Sequence, residues 1–240
     1  MVHESGSSES SVNIVYEQRG VVVFNKPAGL LTQAPPGIDS LETRARNFLR
    51  ARDELGAKFY LTPVHRLDRP VSGIVVFARN VRAAKRISAQ FQERTVDKSY
   101  LSIVEGKPNP PQGTLTHFMR KIPDQAKSEI AEEGQPDTKF AKLEYILLED
   151  KPGVSKVSIK LHTGRTHQIR LQFATAGHPI AGDSLYGSTR DFGEQTVDLR
   201  KRQIALHSWK IKFRHPIDDE DVDICQQPPA AWDEFSDGCG

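Results

Sequence analysis

The 240-residue sequence predicts an α+β fold built on a large mixed β-sheet, in one domain or two closely joined lobes. Three observations carry this expectation. Seven short runs have the β-branched or alternating character of strands, three segments place apolar residues at helical spacing, and the two kinds do not alternate in the strict rhythm of a doubly wound sheet. A content of 37% hydrophobic and 27% charged residues is that of an ordinary globular chain.

The strand candidates are 21–25, 73–78, 100–104, 113–119, 140–148, 155–161 and 205–213, and the helix candidates are 40–55, 81–94 and 166–176. Ser40 stands where it can cap the first helix. Asn80 can cap the second, whose Val81, Ala84, Ile87 and Phe91 share one face. Between 109–111 and 134–136, prolines and charges interrupt the pattern; this reads as a hairpin with a mobile loop, carrying Arg120, Lys121 and Lys127 where a substrate could touch. A loop over 181–187 has two glycines that permit a tight turn.

No apolar run approaches the roughly 20 residues of a membrane helix, and residues 1–11 lack the features of a signal peptide. A cytosolic location is therefore expected. Cys225 and Cys239 lie near the carboxyl end and suggest neither a disulfide framework nor a metal site. The net charge of +2 conceals an asymmetry, because residues 1–12 and 218–240 hold ten acidic residues and no Lys or Arg. The remainder has 33 basic against 21 acidic residues, a balance of +12. A stretch that basic suggests a polyanionic partner, although basic residues also serve simply to solvate a surface. Both ends are expected to be disordered, 1–13 as a polar tail and 218–240 as an acidic one, around a domain over 14–217.

The chemistry concentrates in two clusters. His65-Arg66-Leu67-Asp68-Arg69-Pro70-Val71-Ser72-Gly73 sets a carboxylate among arginines in a turn that enters an apolar strand. His162-Thr163-Gly164-Arg165-Thr166-His167-Gln168-Ile169-Arg170 runs from a strand end into a helix. They read as two walls of one site. Asp68 could ligate a metal, act as acid, base or nucleophile, or merely cap a turn or pair with Arg66. A metal is disfavoured because no second carboxylate lies within a few residues and the eight histidines lack HExxH spacing. Ser72 lacks the glycines of GxSxG, and no Walker A or GxGxxG loop occurs. What remains is chemistry on a polyanion without metal or cofactor.

His65-Arg66-Leu67-Asp68 followed by Ser72-Gly73 resembles the signature of the RluA-type pseudouridine synthases. The likeness continues in order through Asn25-Lys26-Pro27-Ala28-Gly29-Leu30, Lys98-Ser99-Tyr100-Leu101, Val104-Glu105-Gly106, the segment 164–170, Gly177-His178-Pro179-Ile180, 182–187, Leu206-His207 and His215-Pro216. It spans nearly the whole patterned chain. The resemblance implies a mostly antiparallel sheet flanked by helices, two lobes around a central catalytic cleft, and isomerisation of uridine to pseudouridine in ribosomal or transfer RNA.

By position, the resemblance makes Asp68 the essential carboxylate, acting on the sugar, on the base or through a glycal. Arg170 becomes its electrostatic partner and Tyr100 the platform for the flipped base. Arg66 is the residue that fills the gap left by that base. Arg69, Lys98, Arg165, His167 and Gln168 are the further candidates for substrate contact, with His167 and Gln168 also shaping the helix start. Val71 stands where many relatives carry threonine, which puts any hydrogen-bonding role there in doubt. The segment before Ile14 is too short for the S4 RNA-binding module of some relatives, so target choice is expected from the domain's own loops, its basic surface or a partner. RNA is the expected partner, a monomer the default, and a noncatalytic RNA-binding or ribosome-assembly protein the alternative.

Overall fold

The computed structural model describes residues 12–56, 58–198 and 200–235. Eleven strands, β1 (Asn13–Gln18), β2 (Val21–Lys26), β3 (Thr62–Pro63), β4 (Ser72–Ala78), β5 (Asp97–Glu105), β6 (Gln112–Lys121), β7 (Ser128–Ala131), β8 (Lys139–Lys151), β9 (Val154–Leu161), β10 (Leu206–Arg214) and β11 (Asp221–Cys225), make one sheet. Its order is β1-β2-β4-β10-β5-β9-β8-β6-β7, with β3 against β4 and β11 against β10. Of these pairings only β4–β10 is parallel.

The helices are α1 (Leu41–Arg52), α2 (Val81–Glu93) and α3 (Gln168–Thr175). Ser40 Oγ accepts a hydrogen bond from Thr43 N at 3.2 Å, and Asn80 Oδ1 from Ala83 N at 2.8 Å, satisfying amides that a helix start leaves unpaired. α3 begins two residues later than its spacing suggests, because His167 sits in the left-handed region at φ 55°. Among the described residues no helix is long and apolar enough to cross a membrane.

Alternation along β2 and β4 divides the core. Val22, Phe24, Val75 and Phe77 meet Leu41, Ala45 and Leu49 of α1, while Val21, Val23, Ile74 and Val76 share the other face with Ile87 of α2. Covered on both sides, these strands read as unbroken apolar runs.

The sheet splits where the site forms. β4 and β10 pair only through His207 with Ser72 and Ser208 with Gly73; beyond this β4 is flanked by β3 and β10 by β11. Gly73 has φ 113°, and a Cβ there would lie 2.3 Å from Ser208 O, so the junction requires glycine. Two histidines line the split. His65 Nε2 accepts the Val76 amide at 3.1 Å, in place of a strand neighbour, and its ring stacks on Phe91 at 4.9 Å. His207 is fully buried; Gln226 O can only accept, so Nε2 carries the proton at 2.9 Å and Nδ1 accepts from Ser72 Oγ at 2.8 Å.

Both rings are therefore neutral in the fold. Burial lowers His65 to about 3, with Lys98 contributing, and lowers His207 to about 4. Between pH 6.5 and these values the unfolded chain binds more protons than the folded one, so stability falls with acidification. From pH 7 to pH 5 each histidine is expected to remove about 2 kcal/mol. Urea midpoints across that interval test this, and a midpoint that does not move would show that both rings titrate normally.

The acidic tail departs from its expected disorder. Residues 221–225 form β11 on β10, and Trp232, only 2% exposed, joins the main core beside Phe192 and His207. Val222 and Ile224 alternate inward, while Asp221 meets Lys212 at 2.9 Å and Arg214 at 3.0 Å. The acidic residues thus face basic ones across a strand pair instead of repelling one another. Residues 1–11 and 236–240, which include Cys239, lie outside the described residues, and β1 begins at Asn13, inside the expected amino-terminal tail.

Candidate active site

Below the split lies a cavity of about 290 Å³. Its walls come from the 65–71 loop, from Lys98 and Tyr100 of β5, and from the 164–170 segment leading into α3.

The carboxylate loop is held on both sides of Asp68. Thr32 Oγ1 donates to Leu67 O and accepts from Leu67 N, each at 3.0 Å. Arg69 O accepts from Gly29 N at 2.8 Å and from Lys26 Nζ at 3.2 Å. Lys26 is fully buried, and its ammonium also donates to Leu30 O at 2.7 Å and Pro27 O at 2.9 Å. Burial brings this lysine down to about 7, against the pull of the Asp68 charge. The segment 26–32 is therefore a brace for Asp68. Its chain pattern was visible; that function needs the fold.

Asp68 Oδ2 lies 3.4 Å from Arg170 Nη1 and 3.7 Å from His167 Nε2. Oδ1 has no hydrogen-bond or ion-pair partner among the described residues, and Asp68 does not pair with Arg66. The shorter bonds of Arg170 go elsewhere: Nε meets Asp183 Oδ2 at 2.6 Å and Nη2 meets Oδ1 at 2.8 Å. Asp183 is buried and was not singled out from the sequence. The available signal was its place in the 182–187 motif, which is part of the family resemblance but was given no role. The fork on Asp183 fixes the guanidinium, which then reaches Asp68 with its remaining nitrogen.

Tyr100 is 6% exposed and lines the cavity. Burial pushes its hydroxyl up to about 12, a hydrogen bond with Ser208 works the other way, and the Asp68 charge adds to the rise. The hydroxyl is protonated at neutral pH. Val71 is buried in the core.

The remaining candidates separate. Arg66 is exposed at the rim, Lys98 lies 5.7 Å over the Phe91 ring, and Arg165 donates through Nε to Phe140 O at 2.9 Å. Burial and then the Arg94 charge lower both Lys98 and Arg165, so the rim concentrates positive charge. His167 Nδ1 lies 2.9 Å from Tyr186 Oη, and burial lowers its basicity. Gln168 also lines the cavity, and it shapes the turn before α3. Its Oε1 accepts from Thr163 Oγ1 and Arg165 N, and its Nε2 donates to Lys142 O and Gln172 Oε1, so its polar atoms serve the turn. Arg69 likewise contributes its carbonyl to the brace, and its side chain does not line the cavity.

A family model described as RNA pseudouridylate synthase matches residues 20–175, from β2 to the end of α3. The chain belongs to the RNA pseudouridylate synthase family. The match includes the Asp68 loop, Tyr100 and Arg170, whereas Asp183, β10 and β11 lie beyond it. Within the family, the chain is 33% identical over 215 residues to an uncharacterized RNA pseudouridine synthase of Aquifex aeolicus, covering 87% of this chain and 67% of that protein. It is 30% identical over 232 residues to the tRNA pseudouridine synthase C of Pasteurella multocida, covering 92% and 93%. Among solved structures, human RNA pseudouridylate synthase domain containing 1 superposes with a TM-score of 0.70 at 28% identity, covering 94% of this chain and 86% of that one. The chain thus spans nearly the whole Pasteurella relative and about two thirds of the Aquifex one.

Proposed function

We propose that this chain isomerises uridine to pseudouridine in RNA, with Asp68 as the reacting carboxylate. The observation that carries the reading is the braced loop, which holds one Asp68 oxygen on Arg170 and leaves the other without a partner in a cavity. The reaction breaks the bond from C1′ to N1, turns the base, and joins C1′ to C5 as the C5 proton leaves and N1 gains one. Product and substrate are isomers, so no oxidant or reductant is required, and the carboxylate supplies the nucleophile at C1′ or at the ring. No metal or cofactor is invoked.

Arg170 acts as the partner that orients Asp68 and offsets its charge. Tyr100 supplies a flat face for the flipped uracil. Arg66, Lys98 and Arg165 offer cations to the RNA backbone, and His167 supports the Asp68 carboxylate from the helix start. The RNA is ribosomal or transfer RNA, since relatives include the tRNA pseudouridine synthase C of Pasteurella multocida and a ribosomal large subunit pseudouridine synthase C of Vibrio parahaemolyticus. The protein works on it in the cytosol.

A pseudouridine map of total RNA from cells with and without the gene tests this reading. One or a few sites are expected to disappear and to return with the wild-type gene; an unchanged map, with no turnover by the purified protein on ribosomal and transfer RNA, would overturn it. Tyr100→Phe keeps the ring and removes a protonated hydroxyl beside Asp68. RNA affinity is expected to hold while turnover falls about 10²-fold, the usual scale of a positioned proton donor or relay. An unchanged rate would confine Tyr100 to stacking.

A further inference from the structure

A second cavity, of about 450 Å³, adjoins the first. The two share Gly164, Arg165 and Thr166 as a common wall, and the far side of the second is the β6–β7 hairpin. Four cations line it: Arg120, Lys121, Lys139 and Arg165. Arg120 is paired with Glu129 at 2.6 Å. Lys121, Lys139 and Arg165 have no carboxylate within ion-pair distance among the described residues, although Asp137 also lines the cavity. Three cations without such partners around one hollow repel one another unless an anion enters.

The hairpin wall is held to the catalytic side. Ser128 of β7 is buried; its Oγ donates to Thr166 O at 2.9 Å and its amide donates to Tyr186 Oη at 2.9 Å. Tyr186 in turn meets His167, the neighbour of Asp68. The second cavity thus keeps a set position relative to the reacting carboxylate.

We propose that this cavity is a second RNA subsite, which receives the phosphodiester of a nucleotide next to the flipped uridine, with Lys121, Lys139 and Arg165 as its cations. Arg165 then marks the passage between two adjoining nucleotides. The inference rests on the isomerase reading only for RNA as the occupant.

The test compares wild type, Lys121→Gln/Lys139→Gln and Lys85→Gln, the last an exposed position on α2 outside both cavities. Bulk RNA from cells lacking the gene is the probe, and binding is titrated over a series of salt concentrations. Both lysines of the double variant are exposed, so its near-ultraviolet circular dichroism should match wild type. Each lost phosphate contact lowers the slope of log affinity against log salt by about 0.7 to 0.9. The double variant is expected to lose about 0.7 to 0.9 of slope, the share of one phosphate, and about tenfold in affinity, with a raised KM for pseudouridine formation; Lys85→Gln should keep the wild-type slope. A double variant with wild-type slope and affinity overturns the subsite, and so does an equal loss in Lys85→Gln, which would reflect total charge alone. Absence of pseudouridine formation by the wild type would instead remove the isomerase reading, while the slopes would still decide the subsite.

Discussion

Asp68→Asn should abolish pseudouridine formation while leaving RNA affinity and melting temperature close to wild type. The substitution keeps the shape and removes the charge of the oxygen that has no partner in the cavity, so the nucleophile is lost. A loss of at least about 10³-fold is expected for a group that forms the bond. The fold should tolerate the change because Asp68 holds only long contacts, to Arg170 at 3.4 Å and His167 at 3.7 Å, while Asp183 keeps the two short ones of Arg170. No buried charge is orphaned, and a cost of about 1 kcal/mol or less is expected. Asp183→Asn provides the contrast. It weakens the fork that neutralises a buried guanidinium, a loss on the order of 3 to 5 kcal/mol when a buried pair is broken. Turnover by Asp68→Asn at a rate near wild type would remove Asp68 from the chemistry.

Ending the chain at Ile217 should lower the melting temperature by at least about 10 °C. Trp232 fills the main core and Val222 and Ile224 the second, so their loss opens cavities on both faces of the sheet. Removing a buried tryptophan side chain alone typically costs about 3 to 5 kcal/mol, and 1 kcal/mol corresponds to roughly 2 to 4 °C in a domain of this size. The edge of β10 would also be exposed beyond its junction with β4, inviting pairing with other chains. Differential scanning calorimetry of the shortened chain gives the answer. A melting curve superimposable on wild type would show that the tail is dispensable.

The acidic tail shows how local pattern and net charge can disagree. Asp221-Val222-Asp223-Ile224-Cys225 alternates with the period of a strand, but the density of carboxylates suggested repulsion and disorder. Lys212 and Arg214 of β10 resolve the conflict, since each offers a cation across the pair. β3 has two residues and β7 four, too few for a period to register.

Elements whose causes are short-range can be read directly from the chain. The apolar runs of β2 and β4, the caps Ser40 and Asn80 and the helical face of α2 are all set by neighbours within a few positions, where sterics and periodicity act directly. The site comes together only through long-range packing. Asp68 and Arg170 are 102 positions apart, Lys26 and Arg69 are 43 apart, and Ser72 and His207 are 135 apart. These contacts depend on the order of strands in the sheet and on the split between β4 and β10. That order minimises the free energy of the whole core, so a short window of sequence cannot encode which carboxylate meets which arginine.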